Sequence, residues 1–223
     1  MSTETPLSPT PRTRVRRLPE RARTARADLY AVLDAGLICH LGVIHDGAPR
    51  VIPTAYGRVD DTLYLHGSTA NTTLLAADGR GACVTVTHLD GLVCARSGFH
   101  HSMNYRSAMV YGTARIVRDE TERMTALRVI VEQLIPGRWA ETRPPNRKEL
   151  AATAVLAMPL AEASVKVRTG MAADEPEDYD LGFWGGLVPV RLGFGQPVPD
   201  DSVPAGMPVP AHVAERAGGS AGR

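Results

Sequence analysis

Two imidazoles, an amide, a phenol, a guanidinium and two hydroxyls fall within nine consecutive residues, Phe99-His100-His101-Ser102-Met103-Asn104-Tyr105-Arg106-Ser107. Burying so many hydrogen-bonding groups without partners is costly, and a plain surface loop would be freer in composition. The stretch runs into the strand-like segment Ala108–Val117, and loops carried on a rigid sheet are where sites tend to lie. It reads as one wall of a ligand site; the alternative is a polar turn whose side chains satisfy one another.

A second segment, His66-Gly67-Ser68-Thr69-Ala70-Asn71-Thr72-Thr73, follows a strand-like run and opens a short helix. Small and hydroxylated residues in that position leave backbone N–H groups and hydroxyls free to converge on an anion. Ser68, Thr69, Asn71, Thr72 and Thr73 are the candidate phosphate ligands, and Arg50, one hairpin away, could add a bidentate charge. The competing reading is a helix N-cap with extra hydroxyls. In Val165-Lys166-Val167-Arg168 strand alternation puts both cations on one face, either toward an anionic ligand or toward solvent. Trp184, between Phe183 and Gly185-Gly186, could stack on a planar ligand or pack an interface.

Among the seven histidines, His66 and His101 are the acid/base candidates, near neutrality by default. His40 and His88 lie within strands and could be core histidines. Adjacent His100 and His101 cannot turn both rings to one face of a strand. No His-x-His or His-x-x-x-His with a nearby carboxylate occurs, so no metal site is expected; a haem axial histidine stays open. No Gly-x-Ser-x-Gly elbow exposes a serine nucleophile.

The elements that must position these groups are mostly strands. Glu20–Ala35 has helical periodicity with Gly36 as its C-cap. Leu37–Ile44, Arg50–Gly57 and Thr62–His66 form a meander through turns at Asp46-Gly47 and Asp60-Asp61. A short helix lies around Leu74–Ala77. Strands follow at Ala82–His88 and Leu92–Arg96, split by a turn at Asp90-Gly91, and then the long one after Ser107. Asp119/Glu122 and Asn146/Glu149 have capping-box spacing and open two helices. Thr153–Pro159 and Ser164–Thr169 are late strands. About seven short strands with peripheral helices predict a small antiparallel barrel, a mainly β fold.

The 223 residues, 43% hydrophobic, are enough for one core. A net charge of +1 gives no whole-molecule field for nucleic acid. No apolar run reaches a membrane-spanning length and no signal-peptide core is present. The odd set Cys39, Cys83 and Cys94 reads as reduced thiols of a cytoplasmic protein. Residues 1–19, Pro/Thr/Arg-rich with seven arginines between Arg12 and Arg26, are expected to form a disordered basic arm. Residues 193–223 are expected to form a Pro/Gly-rich tail, leaving 20–192 as the domain.

Tyr64-Leu65-His66-Gly67-Ser68 with its short helix, Thr85-Val86-Thr87-His88-Leu89-Asp90-Gly91-Leu92-Val93, the Phe99–Ser107 stretch and Tyr111-Gly112 together resemble the pyridoxamine 5′-phosphate oxidase-like flavoproteins. The nearer resemblance is to the branch related to nitroimidazole-resistance proteins. It covers roughly Arg26 to Arg191, including Pro136-Gly137-Arg138-Trp139 and Lys166-Val167-Arg168-Thr169-Gly170. It implies a split β-barrel that binds FMN at a two-fold homodimer interface and acts as an oxidoreductase on a small planar or nitro-type substrate. A non-catalytic flavin carrier and a haem-binding split barrel are the alternatives. The strand Arg50-Val51-Ile52-Pro53-Thr54 would line the flavin ring, with Ile52, Pro53 and Thr54 against it. Gly67–Thr73 would hold the phosphate, and Tyr105, Arg106 and Ser107 would reach the cofactor from the neighbouring strand. His66 takes the place of a reactive-site histidine. Relatives commonly carry Arg or Lys where this chain has Asn71-Thr72-Thr73, which leaves the phosphate charge to Arg50, Lys166 or Arg168. The vitamin-phosphate contacts of true pyridoxamine-phosphate oxidases are not recognisable, so that substrate is not expected.

Overall fold

The structure is a computed structural model that describes Pro6, Leu7 and residues 10–218. Its strands are β1 (Ala22–Arg23), β2 (Ile38–His45), β3 (Ala48–Val59), β4 (Thr62–Ser68), β5 (Gly81–Cys94), β6 (Ser102–Thr113), β7 (Arg115–Ile116), β8 (Thr153–Pro159), β9 (Glu162–Arg168) and β10 (Gly186–Pro189). The helices are α1 (Arg26–Ala35), α2 (Thr72–Leu75), α3 (Glu120–Leu134), α4 (Arg147–Ala152) and α5 (Ala211–Gly218). The sheet is antiparallel throughout, in the order β1-β9-β6-β5-β2-β3-β4-β8-β7, with β10 added to β5.

Alternation decides how this sheet curls. Cys39 and Leu41 on β2, Val84 and Val86 on β5, Ala108 and Val110 on β6, and Val165 on β9 all point to one side, where they meet Leu63, Leu65, Leu156 and Met158 in a single buried core. Water leaves that side at roughly 25 cal/mol per Å² of apolar surface, so the two halves of the sheet close on each other as a split barrel. A smaller cluster, Tyr64, Val155 and Ala157 with Ala126 and Ile130 of α3, covers the outside of β4 and β8. Gly57 makes this approach possible: a Cβ there would lie 2.6–2.7 Å from the backbone of Val129 and Ile130.

The β2–β3 turn is as expected; Asp46 and Gly47 both have positive φ (51° and 74°), the type I′ pattern that matches strand twist. Asn146 and Glu149 form the reciprocal capping box. Asp119 caps α3 through its side chain, but Glu122 turns instead to Tyr64 and Arg115.

Other expectations are corrected. Asp90-Gly91 is no hairpin turn: β5 runs through it, and the ladder steps from Leu89↔Tyr105 to Gly91↔Asn104, leaving Asp90 as the extra residue of a bulge. Strand β6 begins at Ser102, so most of the polar stretch belongs to the sheet. Helix α1 starts at Arg26, because Pro19–Arg21 form a 3-10 turn and Ala22–Arg23 pair with β9. Gly36 is the C-cap of α1 as expected, its N–H donating to Leu33 O, with an extended backbone (φ −87°, ψ 151°). It must be glycine because a Cβ would sit 2.2 Å from Tyr56 Oη.

The arm expected to be disordered is docked where it is described. Leu7 is buried in the main core, its N–H donates to Thr24 O at 2.6 Å, and Pro6 bridges Ala25. Arg12 holds Glu162 through two bonds of 2.8 and 2.5 Å and lies 5.0 Å from the Tyr111 ring. That contact, with Thr10 adding a further bond, pushes the Glu162 carboxyl down to about 2. At the other end, within the expected tail, α5 rests against α3: Arg216 Nη2 donates to Gln133 O at 3.4 Å and lies 4.4 Å from the Phe194 ring. The outermost tail residues of both ends fall outside the described residues.

Candidate functional site

Strand β3 has two partners, one after the other. Ala48–Ala55 pair with β2, whereas only Tyr56–Val59 pair with β4. The last residues of β4, His66, Gly67 and Ser68, pair with β8 alone. The sheet therefore forks between β3 and β4. One prong is the Ile52-Pro53-Thr54 edge, which no other strand covers among the described residues; Pro53 has no N–H to lose there. The other prong is His66–Ser68, continuing into α2. Thr54 Oγ1 donates to His66 O at 3.4 Å where the prongs meet.

His66 stands at this vertex. Its Nδ1 is buried and has no hydrogen-bond partner among the described residues. Burial alone pushes the imidazole below its ordinary value of 6.5, which keeps it neutral at pH 7. A neutral ring with an unsatisfied nitrogen can accept a proton or hold a ligand, and buried polar atoms are seldom left unpaired.

The segment after it is largely satisfied within itself. Ser68 Oγ accepts from Ala70 N at 3.1 Å, Thr69 N donates to Ala152 O at 3.0 Å, and Asn71 Oδ1 caps Leu74 N at 3.0 Å. The N-cap reading is thus right for Asn71. Thr69 and Thr72 are exposed at the mouth of the fork, and Thr73 is buried.

Beyond the fork extends the outer face of the sheet. The register places Pro53, His40, Thr85, Met109 and Ser164 in one row across β3, β2, β5, β6 and β9, all facing away from the core. Around this row lie exposed apolar residues, with Ile38 57%, Ile44 57% and Val51 65% accessible. Large apolar side chains exposed together on one sheet face are a mark of an interaction site. Thr87, Ser107 and Lys166 form the next row; Ser107 Oγ donates to Lys166 O at 3.4 Å, and Lys166 Nζ to Arg17 O at 3.3 Å. Tyr105 and Arg168 are cross-strand partners on the same side. Arg168 Nη1 donates to Asn104 Oδ1 at 2.5 Å and Nη2 to Met171 O at 3.1 Å; burial lowers its guanidinium.

The remaining candidates stand apart. Arg50 is four residues from Thr54, about 13 Å along an extended strand, and lines a groove of about 350 Å³ with Arg12, Cys83 and Tyr111. Arg106 points to the opposite side of the sheet from Tyr105 and Ser107 and is held by Asp90, with Nε–Oδ2 3.0 Å and Nη2–Oδ1 2.9 Å. His101 is exposed, its Nδ1 3.0 Å from Ser97 O. Nothing in the sequence pattern flagged Asp90, which reads as a turn residue. Asp174, equally unflagged, has a fully buried carboxylate that accepts from Arg96 N, Ser97 N and Arg96 Nη1. It clasps the segment before β10 to the loop ahead of β6. Trp184 is 67% exposed and stacks on no ring among the described residues.

All three cysteines are free. No metal-competent group of His, Cys, Asp or Glu occurs among the described residues, and none of their helices is long and apolar enough to cross a membrane.

Residues 25–167 match the sequence profile of the pyridoxamine 5′-phosphate oxidase family. The chain is similar to the flavocytochrome Anf3 from Azotobacter vinelandii, with 40% identity, TM-score 0.88, and 95% of this chain and 99% of that one covered. It is also similar to an FAD- and haem-binding protein from Mycobacterium smegmatis, with 39% identity, TM-score 0.86, and 90% and 98% covered. A protein described as a 5-nitroimidazole antibiotic resistance protein from Bacteroides thetaiotaomicron shares the fold, at 22% identity and TM-score 0.58, with 69% and 90% covered. No curated protein matches the sequence significantly.

Proposed function

The chain belongs to the pyridoxamine 5′-phosphate oxidase family, and from that premise we propose that it is a flavin-dependent oxidoreductase whose cofactor sits in the β3–β4 fork and against the outer face of the sheet. The observation that carries this is the fork itself: an uncovered strand edge at Ile52–Thr54 parts from the hydroxyl-bearing Ser68–Thr72 segment, and His66, whose Nδ1 is unpartnered among the described residues, stands at the vertex. A flavin needs a flat apolar bed, a backbone edge for its ring heteroatoms and donors for its phosphate. Ile38 and Val51, the exposed apolar side chains beside Pro53, supply the bed. The hydroxyls of Thr69 and Thr72 stand open at the phosphate end, while Ser107 and Lys166 line the next row.

The flavin, FMN or FAD, would supply the electron transfer; this chain's residues bind, orient and exclude water. Neutral His66 would take or give a proton at Nδ1 beside the ring. A small planar or nitro-type substrate would lie over the same bed. The exposed Ile38, Ile44 and Val51 need a cover, and a second copy of the chain in two-fold symmetry provides it. Arg50, far along β3, would then act on that interface and not on the phosphate.

Haem is a second reading, favoured by His66. A half-buried, neutral imidazole with one nitrogen unpaired is suited to axial ligation, and the two relatives of about 40% identity are described as a flavocytochrome and as an FAD- and haem-binding protein.

The experiment is the visible spectrum of the purified protein, then titration of the stripped protein with FMN, FAD and haemin. Bound flavin that NADH or NADPH reduces and a nitro compound reoxidises at a saturable rate supports the enzyme. Tight flavin that no donor reduces makes it a carrier. A Soret band that disappears in His66→Ala supports haem, and absence of binding by all three removes the proposal.

A further inference from the structure

A cleft of about 310 Å³ opens between the C-terminal end of α1, the bulge of β5 and the segment that follows β10, lined from β5 by Thr87 and Leu89 as well as by His88 and Asp90. We propose that this cleft binds a small organic anion, a carboxylate on an apolar body, independently of any flavin.

The cleft is built by the bulge. Because Asp90 is the inserted residue, its side chain leaves the ladder and meets Arg106 from β6. The carboxylate engages Nε and Nη2 and fixes the guanidinium plane, while Nη1 has no partner among the described residues. Both partners are 33% exposed. The pair therefore faces the cleft and is not sealed in the core. The opposite wall is equally fixed: Val190 N donates to Asp90 O at 3.1 Å, directly after the β10–β5 ladder ends at Pro189↔Gly91. The next residue, Arg191, lines the cleft, is exposed and has no ion pair among the described residues.

Charge and shape then select the ligand. Asp90 neutralises Arg106, so Arg191 leaves one positive charge in excess, with the open Nη1 as a directed donor. Two guanidinium groups, one held rigid, match the fork geometry of a carboxylate. His88 is held as well, with Nε2 2.9 Å from Val32 O, and closes the inner end. Leu89 and Leu192, 41% and 55% exposed, flank the charges. They offer apolar cover to a body that inorganic phosphate lacks.

Calorimetric titration of the full-length protein with sodium benzoate, benzamide and inorganic phosphate tests this. Benzoate is expected to bind saturably, and both benzamide and phosphate at least about tenfold more weakly. Arg191→Ala, a surface change that leaves the fold untouched, is expected to weaken benzoate by at least about tenfold. Arg50→Ala, in the separate groove with Arg12 and Tyr111, is expected to leave it unchanged. No saturable heat up to ~10 mM benzoate, where a millimolar site would fill, would overturn the proposal. So would equal binding of phosphate, or an Arg191→Ala protein that binds as wild type does. Benzoate binding lost in Arg50→Ala instead would place it in the Arg50 groove and sink the cleft assignment, while flavin titration of the same proteins reads the flavin site separately.

Discussion

Thr54 Oγ1 donates to the carbonyl oxygen of His66 at 3.4 Å, and it does so where β3 and β4 stop pairing. The same hydroxyl lies 3.2 Å from Ala55 O, so its single proton is shared at the vertex, and the fork is open beyond it. The functional reading depends on this opening, which puts backbone, hydroxyls and an imidazole around one gap.

His66 gives the opening a pH signature. Burial lowers its native pKa below 6.5, so near pH 6 the unfolded chain binds more protons than the native one, and stability rises with pH. The contribution is full above the unfolded value near 6.5 and declines as pH falls below it. His66→Leu removes that slope. Melting curves at about pH 8 and about pH 5.5 should show a larger fall for wild type than for His66→Leu; equal falls would mean that the ring is solvated.

Arg26 is the one fully buried cation among the described residues, 2% exposed, and it depends on Asp61: Nη1 lies 2.7 Å from Oδ1, with Tyr30 Oη donating to the same oxygen at 2.6 Å. Burial alone would raise the Asp61 carboxyl, but Tyr30 and Arg26 outweigh it and hold it below 3.8. Its stabilisation is therefore present above the ordinary carboxylate value and is lost as pH falls through the lowered one. Asp61→Ala strands a buried charge and should cost about 3–5 kcal/mol, whereas the double change Arg26→Met, Asp61→Leu should cost much less. Urea unfolding of the two variants decides; equal losses would contradict this account.

The docked arm makes truncation costly. Leu7 belongs to the main core although it precedes the family-matched residues. Leu7→Ala should cost about 2 kcal/mol, the low end for a core leucine because an arm can relax into the space. That corresponds to a fall in Tm of roughly 4–8 °C. Deleting residues 1–11 should cost at least as much, and a deletion with unchanged Tm would show that the arm does not dock in solution.

Much of the barrel was legible because its signals are local. Asp46-Gly47 specifies its turn, Asn146/Glu149 its cap, and alternation separates Leu41, Val84 and Val110 from His40, Thr85 and Met109. The bulge was not legible: Asp-Gly reads as a turn in any sequence, and only the packing of β10 on Gly91 shows that β5 continues. The docking of Leu7 was hidden for a similar reason, since one leucine in a Pro/Thr/Arg-rich arm has no periodicity to announce it. His66 and the Ser68–Thr72 segment were visible as residue types beside a strand end. The parting of β3 from β4 that brings Ile52–Thr54 opposite them is a property of the closed sheet. Arg106 was legible as a cation on a strand beside Tyr105 and Ser107; that it turns to the other side of the sheet and pairs with Asp90 was not.

The central claim is that the fork seats a flavin phosphate at the Thr69–Thr72 end. Thr69→Glu tests it most directly, because Thr69 is exposed and its backbone bond to Ala152 does not involve the side chain. Stripped wild-type and Thr69→Glu proteins would be titrated with FMN, FAD and riboflavin, following flavin fluorescence, with a melting curve for each protein. The account predicts that like-charge repulsion weakens FMN and FAD by at least about tenfold, some 1.4 kcal/mol. Riboflavin, which has no phosphate, and the Tm should change little. Unchanged affinity for FMN and FAD in Thr69→Glu, or a wild-type protein that binds neither, would contradict it.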